Sequence, residues 1–377
     1  MNKKEPTALK NTFNKYDPKL ANVFLPWACR HPKYLKAFFK LRGANNKAKK
    51  YRENELRNGL KVPPFLILSI TSKCNLKCSG CFAAAAGTTC YGTSTNIKTT
   101  LDLNQWRKIM REASSLGVFG FVIAGGEPFL FPGLINLFKE FKNRFFIVLT
   151  NGTTISDEDY KNLKKLGNIA VLVSIEGGEE ITDRRRGKGV YEKSMNTLKK
   201  LKRYGILSGI SATITSKNYK YWLDPENIDY FISQGVHIGV FIEHIPLTPV
   251  PDDLILDKKE REEFRSQILN YRDTKPIYVV HSPGDEEFFG GCVSAGRGFA
   301  HITPAGDLTP CPVSNIATHN LTSSTLRDGL ASPLFKEIRE NVYLLETDGM
   351  PCALFAHPKE VDELAKSVGA YRTNIGE

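Results

Sequence analysis

Three thiols lie within eight residues of the stretch "SITSKCNLKCSGCFAAAAG", at Cys74, Cys78 and Cys81. Clustered cysteines in one loop are metal ligands first, because the thiolate is the soft donor that iron and zinc favour. Structural zinc closes its shell with four ligands, usually from paired C-x2–4-C units. Here the spacing is C-x3-C-x2-C, and only Cys90 stands nearby as a further thiol. An iron–sulfur cluster is less demanding: three thiolates hold a four-iron cluster and leave one iron free for a small ligand. The loop therefore points to a cluster with one exchangeable position.

Three more cysteines form a second group, Cys292, Cys311 and Cys352, while Cys29 and Cys90 stand apart. A lone cysteine is most often a small buried apolar residue. The opening "MNKKEPTALKN" has no apolar core that would serve as a secretory signal. Runs such as "FLILSI" and "FFIVL" fall far short of the roughly 20 residues of a membrane span. The expected location is the cytoplasm, where thiols stay reduced and bind metals rather than pair as disulfides.

What must position these residues is an α/β scaffold. Apolar, β-branched runs recur at 65–71, 119–125, 145–152, 169–177, 208–215 and 236–244. Between them, helical spacing occupies 102–116, 133–143, 156–166, 189–205 and 225–235. Buried strands alternating with helices predict a parallel sheet. In such sheets ligands bind at the C-terminal strand ends. Cys74–Cys81, Gly125–Pro128, Thr150–Gly152 and Ser174–Gly178 follow successive strands, so four loops are expected on one rim. After Pro246 comes a proline-rich linker, "PLTPVPDD", then a charged helix near 257–273, a Gly/Cys-rich region at 283–352 and a final helix near 358–368.

The C-x3-C-x2-C loop after the first strand resembles the signature of radical S-adenosylmethionine (SAM) enzymes. The resemblance implies a partial (β/α)6 TIM-like barrel over residues 62–246, with a small C-terminal iron–sulfur region at 247–377 and a basic arm at 1–61. It implies a 4Fe–4S cluster on Cys74, Cys78 and Cys81 whose free iron is chelated by SAM. Reductive cleavage of SAM would release a 5′-deoxyadenosyl radical able to take hydrogen from an unactivated C–H bond. "GGEP", with Gly125, Gly126, Glu127 and Pro128, resembles the motif that contacts the methionine amino group. "SIEG" resembles the ribose-binding segment and offers Ser174 and Glu176. In "DRRRGKG", Arg186 matches an arginine that approaches the SAM carboxylate. The family places an aromatic residue just before the third cysteine; Gly80 stands there, and Phe82 just after is the expected substitute for packing at the adenine. A reductant such as flavodoxin or ferredoxin is the implied partner, and the chemistry is expected to be anaerobic.

Cys292, Gly306 and Cys311 resemble the C-x9–15-G-x4-C opening of SPASM and twitch extensions, where a β-hairpin presents two thiolates. Cys352 is the third expected ligand of an auxiliary 4Fe–4S cluster. The fourth stays open among Cys29, Cys90, His357, an Asp and the substrate. Too few cysteines remain for two auxiliary clusters.

The formal net charge is +12, and residues 1–61 account for all of it, with 16 Lys and Arg against 4 Asp and Glu. Such an arm attracts phosphates on nucleic acid or on lipid headgroups. Pro32 and Gly43 bracket an expected helix with Leu35, Phe38, Phe39 and Arg42 at helical spacing and Lys33, Lys36 and Lys40 on another face. Packing against the barrel is the plain expectation for it. An anionic membrane surface is the next, and nucleic acid the least expected. From Val62 to Ala370 the chain loosely resembles anaerobe radical SAM proteins implicated in joining lipid tails, which places a lipid chain slightly ahead of a peptide as substrate. His244, at a strand end, is a candidate for quenching a product radical. The competing readings are a metal-stabilised RNA- or membrane-binding module without catalysis, and electron transfer without SAM.

Overall fold

The computed structural model describes residues 23–24, 26–29, 31–87, 90–91, 100–246, 253–347 and 349–373. Residues 1–22 of the basic arm, nearly all of "PLTPVPDD" and the Cys90 side chain lie outside the described residues.

Each of the six apolar runs forms a strand: β1 (Phe65–Thr71), β2 (Gly120–Gly125), β3 (Phe145–Thr150), β4 (Ile169–Ser174), β5 (Leu207–Ile214) and β6 (Val236–Glu243). They pair in parallel and in chain order, each strand beside the next. That order is the arc of an open β/α barrel; a doubly wound sheet would reverse direction partway. The helices between them are α2 (Leu103–Leu116), α3 (Leu134–Glu140), α4 (Asp157–Leu163), α5 (Glu179–Arg186), α6 (Val190–Tyr204) and α7 (Pro225–Ser233), preceded by α1 (Pro32–Arg57). Capping boxes at Asp102 and Ser156 start α2 and α4 by satisfying backbone N–H groups that the helix leaves unpaired.

The sheet does not stop at residue 246. After α8 (Lys258–Thr274), β7 (Tyr278–Ser282) joins β6 in parallel. At the opposite edge β8 (Phe299–Ile302) lies parallel to β1, and β9 (Leu308–Thr309) turns back on β8. Nine strands thus form one sheet in the order β9-β8-β1-β2-β3-β4-β5-β6-β7. Gly306, at φ +95°, makes the turn between β8 and β9. Helices α9 (Leu326–Ala331), α10 (Pro333–Glu340) and α11 (Pro358–Ser367) complete the C-terminal region.

Helix α1 runs through Gly43 rather than ending there. Tyr34, Leu41 and Ala48 recur at seven-residue spacing as its buried positions. Their packing carries the helix past a glycine that costs only about 1 kcal/mol relative to alanine. The expected apolar face is also displaced: Phe38 and Phe39 are exposed, at 38% and 61%, beside exposed Lys36 and Lys40. Trp27 and Tyr34 instead pack on Ala170, Leu172, Leu207 and Ile238. His31 and Ala37 meet Gly205 and Gly167, just ahead of β5 and β4. This segment closes the N-terminal mouth of the barrel, so the opposite mouth is the open one.

Candidate active site

The C-terminal rim is where the loops meet. Thr71 of β1 pairs with Gly125 of β2, and Thr150 of β3 with Val173 of β4. Ser174 pairs with Ser211 of β5, so the four loops expected on one rim do share it.

The two glycines after β2 answer to the cysteine loop itself. A Cβ on Gly126 would sit 2.1 Å from the Lys73 carbonyl oxygen, and one on Gly125 2.6 Å from that of Thr71. With both absent, the Gly126 N–H donates to Thr71 O at 2.8 Å and the Glu127 N–H to Lys73 O at 2.8 Å. The loop that begins Ser72-Lys73-Cys74 is therefore laced to the β2 loop by backbone. Pro128 opens a single 3-10 turn immediately afterwards.

The Glu127 carboxylate, in the segment that resembles the amino-group motif, is largely occupied within the rim. It accepts from the Phe129 N–H (3.1 Å), the Thr150 hydroxyl (2.7 Å) and the Asn151 N–H (2.8 Å). Three of roughly four acceptor positions are thus filled by the chain. Burial raises its pKa, with those hydrogen bonds opposing the rise. Asn151 carries the tie onward, donating to the Asn75 side chain at 2.9 Å, while Asn75 donates to Thr153 at 2.8 Å. Asn75 lies between the first two cysteines, so the β3 loop grips the cysteine loop as well.

Glu176 is equally committed. One oxygen receives Arg185 and the Arg186 Nε at 2.8 Å; the other accepts the Thr213 N–H at 2.9 Å. The two arginines hold this carboxyl below its ordinary range against the cost of burial. The Glu176 carbonyl accepts from Asn218 (2.9 Å) and Trp222 (3.3 Å), which fixes the "SIEG" turn. Ser174 is half-buried beside it. Arg185, which the motifs did not single out, spans to the cysteine loop: its guanidinium donates to Gly80 O at 3.1 Å, and its carbonyl accepts the Ser79 N–H at 2.9 Å.

Gly80 takes φ +63°, a left-handed conformation that an aromatic residue rarely adopts, and its open side faces the His244 ring. Phe82 begins a short helical turn, Phe82–Ala85, and is 39% exposed.

Cys74, Cys78 and Cys81 are half-buried, all free, and within electrostatic reach of one another. Burial pushes the Cys74 thiol up to about 11, with Glu127 and the two neighbouring thiols adding to it. Burial also raises Cys78, against the pull of Arg186 and Arg185. Three gathered thiols, two of them raised by burial, fit a cationic group that would favour their thiolates together. Among the described residues no three His, Cys, Asp or Glu side chains converge on the position of a single ion. A multi-iron cluster needs its thiolates further apart than one zinc does.

Cys292, Cys311 and Cys352 are buried and likewise gathered, each pushed up by desolvation. Cys292 precedes β8 and Cys311 follows β9, so the hairpin does bring them to one place. Of the open candidates for a fourth ligand, Cys29 is exposed on the segment that closes the N-terminal mouth. His357 donates its Nε2–H to the Glu346 carbonyl at 3.0 Å and lies against Tyr343 with ring centroids 4.0 Å apart. The Cys292 thiol donates to the Ser294 hydroxyl at 3.3 Å. Glu286, which sequence reading passed over, stands in the turn before it, and burial pushes its carboxyl up to about 7.

Residues 68–224 match the model of the Radical SAM superfamily. Over that span the chain is similar to radical SAM domains, and the proteins it resembles include maturases. The sporulation killing factor maturation protein SkfB of Bacillus subtilis is 30% identical over 289 residues, covering 72% of this chain and 65% of that protein. The chain thus spans somewhat less than two thirds of this relative's length. Streptococcus suis SuiB bound to its precursor peptide SuiA superposes with a TM-score of 0.64 at 18% identity, over 82% of this chain and 74% of SuiB. The structure of anSMEcpe with bound AdoMet and the Cp18Cys peptide gives 0.57 at 18%, over 80% and 95%. At such identities these two likenesses establish the fold.

Proposed function

We propose that this protein is a radical SAM enzyme that acts on a peptide. The observation that carries the chemistry is the cysteine loop at the C-terminal rim, held by backbone to the β2 loop, by Asn75 to the β3 loop and by Arg185 to α5. When bound, a 4Fe–4S cluster on Cys74, Cys78 and Cys81 would offer its free iron to SAM and supply the electron that breaks the sulfonium C–S bond. The chain's part is positional. Gly125 and Gly126 set the loop height, and Glu127 locks the β2 and β3 loops together. Arg186 keeps positive charge beside Cys78. Ser174 and Phe82 stand at the mouth for the ribose and adenine. Cys292, Cys311 and Cys352 hold an auxiliary cluster, and a flavodoxin or ferredoxin is the reductant.

A peptide substrate is supported by the company the chain keeps: SuiB and anSMEcpe are each seen with a peptide, and SkfB is named for maturing a killing factor. A lipid chain is the second reading, favoured by the exposed Phe38 and Phe39 beside Lys36 and Lys40. That reading has the protein peripheral on the inner face of the membrane; among the described residues no helix is long and apolar enough to cross one.

The test is anaerobic reconstitution with iron and sulfide, followed by SAM and dithionite. Formation of 5′-deoxyadenosine, reduced to background in Cys78→Ala, supports the reading. A colourless protein that forms none overturns it. Deuterated peptide and lipid pools then separate the substrates by which one passes deuterium into the adenosyl product.

A further inference from the structure

The helix-to-strand turns at the closed mouth share one sign of charge. Residues 58–64, 117–119, 141–144, 164–168, 205–206, 234–235 and 275–277 lead into β1 to β7. They hold Lys61, Lys142, Arg144, Lys164, Lys165 and Lys275 and no Asp or Glu. Lys36, Lys40 and Lys47 are exposed along one stripe of α1. These cations crowd: Lys33 donates to Lys164 O, and burial and then the Lys164 charge lower its pKa. Where α1 crosses the end of α2, the face opens into a groove of about 320 Å³. Lys47, Tyr51, Ser114, Asn143 and Arg144 line it, and among the described residues no Asp or Glu does. We infer that this groove binds a phosphate group, carried by a lipid headgroup or by a free molecule.

Two half-buried guanidinium groups at the groove donate to neutral acceptors. Arg144 gives its Nε–H to Ser114 Oγ and its terminal nitrogens to Ser114 O and Asn143 O, each at 3.0 Å. Arg52 donates to Gly117 O at 2.5 Å. A Cβ on Gly117 would lie 2.6 Å from Ala48 O, so α1 comes down directly on the end of α2 and brings Arg52 towards Arg144. Burial lowers the Arg52 pKa to about 10; Arg144 adds to the fall, and Glu53, which does not line the groove, opposes it. Positive charge drawn out of water without a carboxylate is costly, and a bound anion relieves that cost. Ser114 Oγ, filled as an acceptor, keeps its own hydrogen to donate, and the Asn143 amide and Tyr51 hydroxyl add donors. Such a set suits phosphate, whose oxygens accept and whose geometry matches a guanidinium.

The experiment uses the full reconstituted chain at low ionic strength, where exposed charge is least screened. Glycerol phosphate is titrated by calorimetry, and vesicles of phosphatidylglycerol in phosphatidylcholine are tested by sedimentation. Lys47→Gln with Arg144→Gln should weaken whichever is bound by about 10-fold or more. Lys165→Gln with Arg203→Gln, which takes the same charge from the same face, should change it by less than about 2-fold. Binding of glycerol phosphate assigns a free ligand and binding of vesicles alone assigns a headgroup; either supports the site. Binding of neither overturns it, and so does an equal loss in the two double variants, which would mean diffuse attraction to net charge. Should the first double variant misfold by circular dichroism, Lys47→Glu, at an exposed position, should weaken binding by the same margin, and unchanged binding overturns the site. Neither pair lies at the cysteine rim, so the result is independent of the activity proposed above.

Discussion

Two glycines make opposite demands. Gly126 has a backbone oxygen where a Cβ would go, at 2.1 Å, whereas nothing lies within 4 Å of the corresponding point on Gly43. Gly126→Ala must push the cysteine loop away from β2. Overpacking of this kind costs about 1–3 kcal/mol, occasionally more, and here the expected readout is a lower denaturation midpoint with loss of iron at the first cluster. Gly43→Ala, inside α1, should stabilise by up to about 1 kcal/mol. Urea titrations of both variants check the pair, and equal shifts would contradict it. Arg185 and Arg186 differ as sharply despite adjacency. Both pair with Glu176, but only Arg185 also reaches Gly80. Glu176→Gln leaves two guanidinium groups short of their buried partner and should destabilise by about 3 kcal/mol. Arg185→Ala should loosen the loop around Cys81 and lower 5′-deoxyadenosine formation by about 10-fold or more, since small misplacements are costly in a positioned site. The cysteine spacing and "GGEP" were legible as sequence. Asn75, Arg185 and Asn218 were not, because each bonds a group more than 40 residues away in the chain, a contact that spacing does not encode.

At the scale of elements, the joint between barrel and C-terminal region runs through one histidine. His301 of β8 shares its ring between the Ser69 hydroxyl of β1 and the Thr309 hydroxyl of β9, both at 2.8 Å. Burial lowers its pKa to about 3, against about 6.5 unfolded. The unfolded chain therefore binds the extra proton between those values. The neutral ring's contribution is complete above about pH 6.5 and is lost as pH falls towards 3, at about 1.4 kcal/mol per unit. Between pH 7 and 5 the natural chain should lose about 2 kcal/mol more stability than His301→Asn, measured by denaturant unfolding at each pH. Parallel pH profiles for the two chains would contradict this. The six barrel strands were readable because each is a continuous β-branched run bounded by turn residues. β7 was missed although "IYVVHS" is such a run, bounded by Pro276 and Pro283; it lies beyond the proline-rich segment at which the repeating pattern loosens. The parallel pairing of β8 with β1 was beyond reading, because the partners are separated by more than 220 residues and four-residue strands carry little pattern of their own. The extent of α1 failed for a different reason: glycine is a weak stop when tertiary packing continues past it.

For the whole molecule, the arrangement is polar from end to end. Trp27 and Tyr34 close the N-terminal mouth, the cysteine loop sits at the other, and the second cysteine group is carried by chain built onto both sheet edges. The arm that reads as basic in residues 1–61 therefore has a first use through its apolar residues, which close the barrel. Its exposed aromatic pair is a separate matter: Phe38→Ser with Phe39→Ser should abolish sedimentation with anionic vesicles if a membrane surface is engaged, and should leave it unchanged if the substrate is only a peptide. The central claim is that the iron left free by Cys74, Cys78 and Cys81 takes SAM. Its most direct measurement is pulsed EPR of the reduced protein, with Cys292, Cys311 and Cys352 replaced by Ala, mixed with SAM carrying nitrogen-15 in its amino group. A nitrogen-15 coupling on the remaining cluster is the predicted result; a cluster spectrum identical with and without labelled SAM would contradict the account.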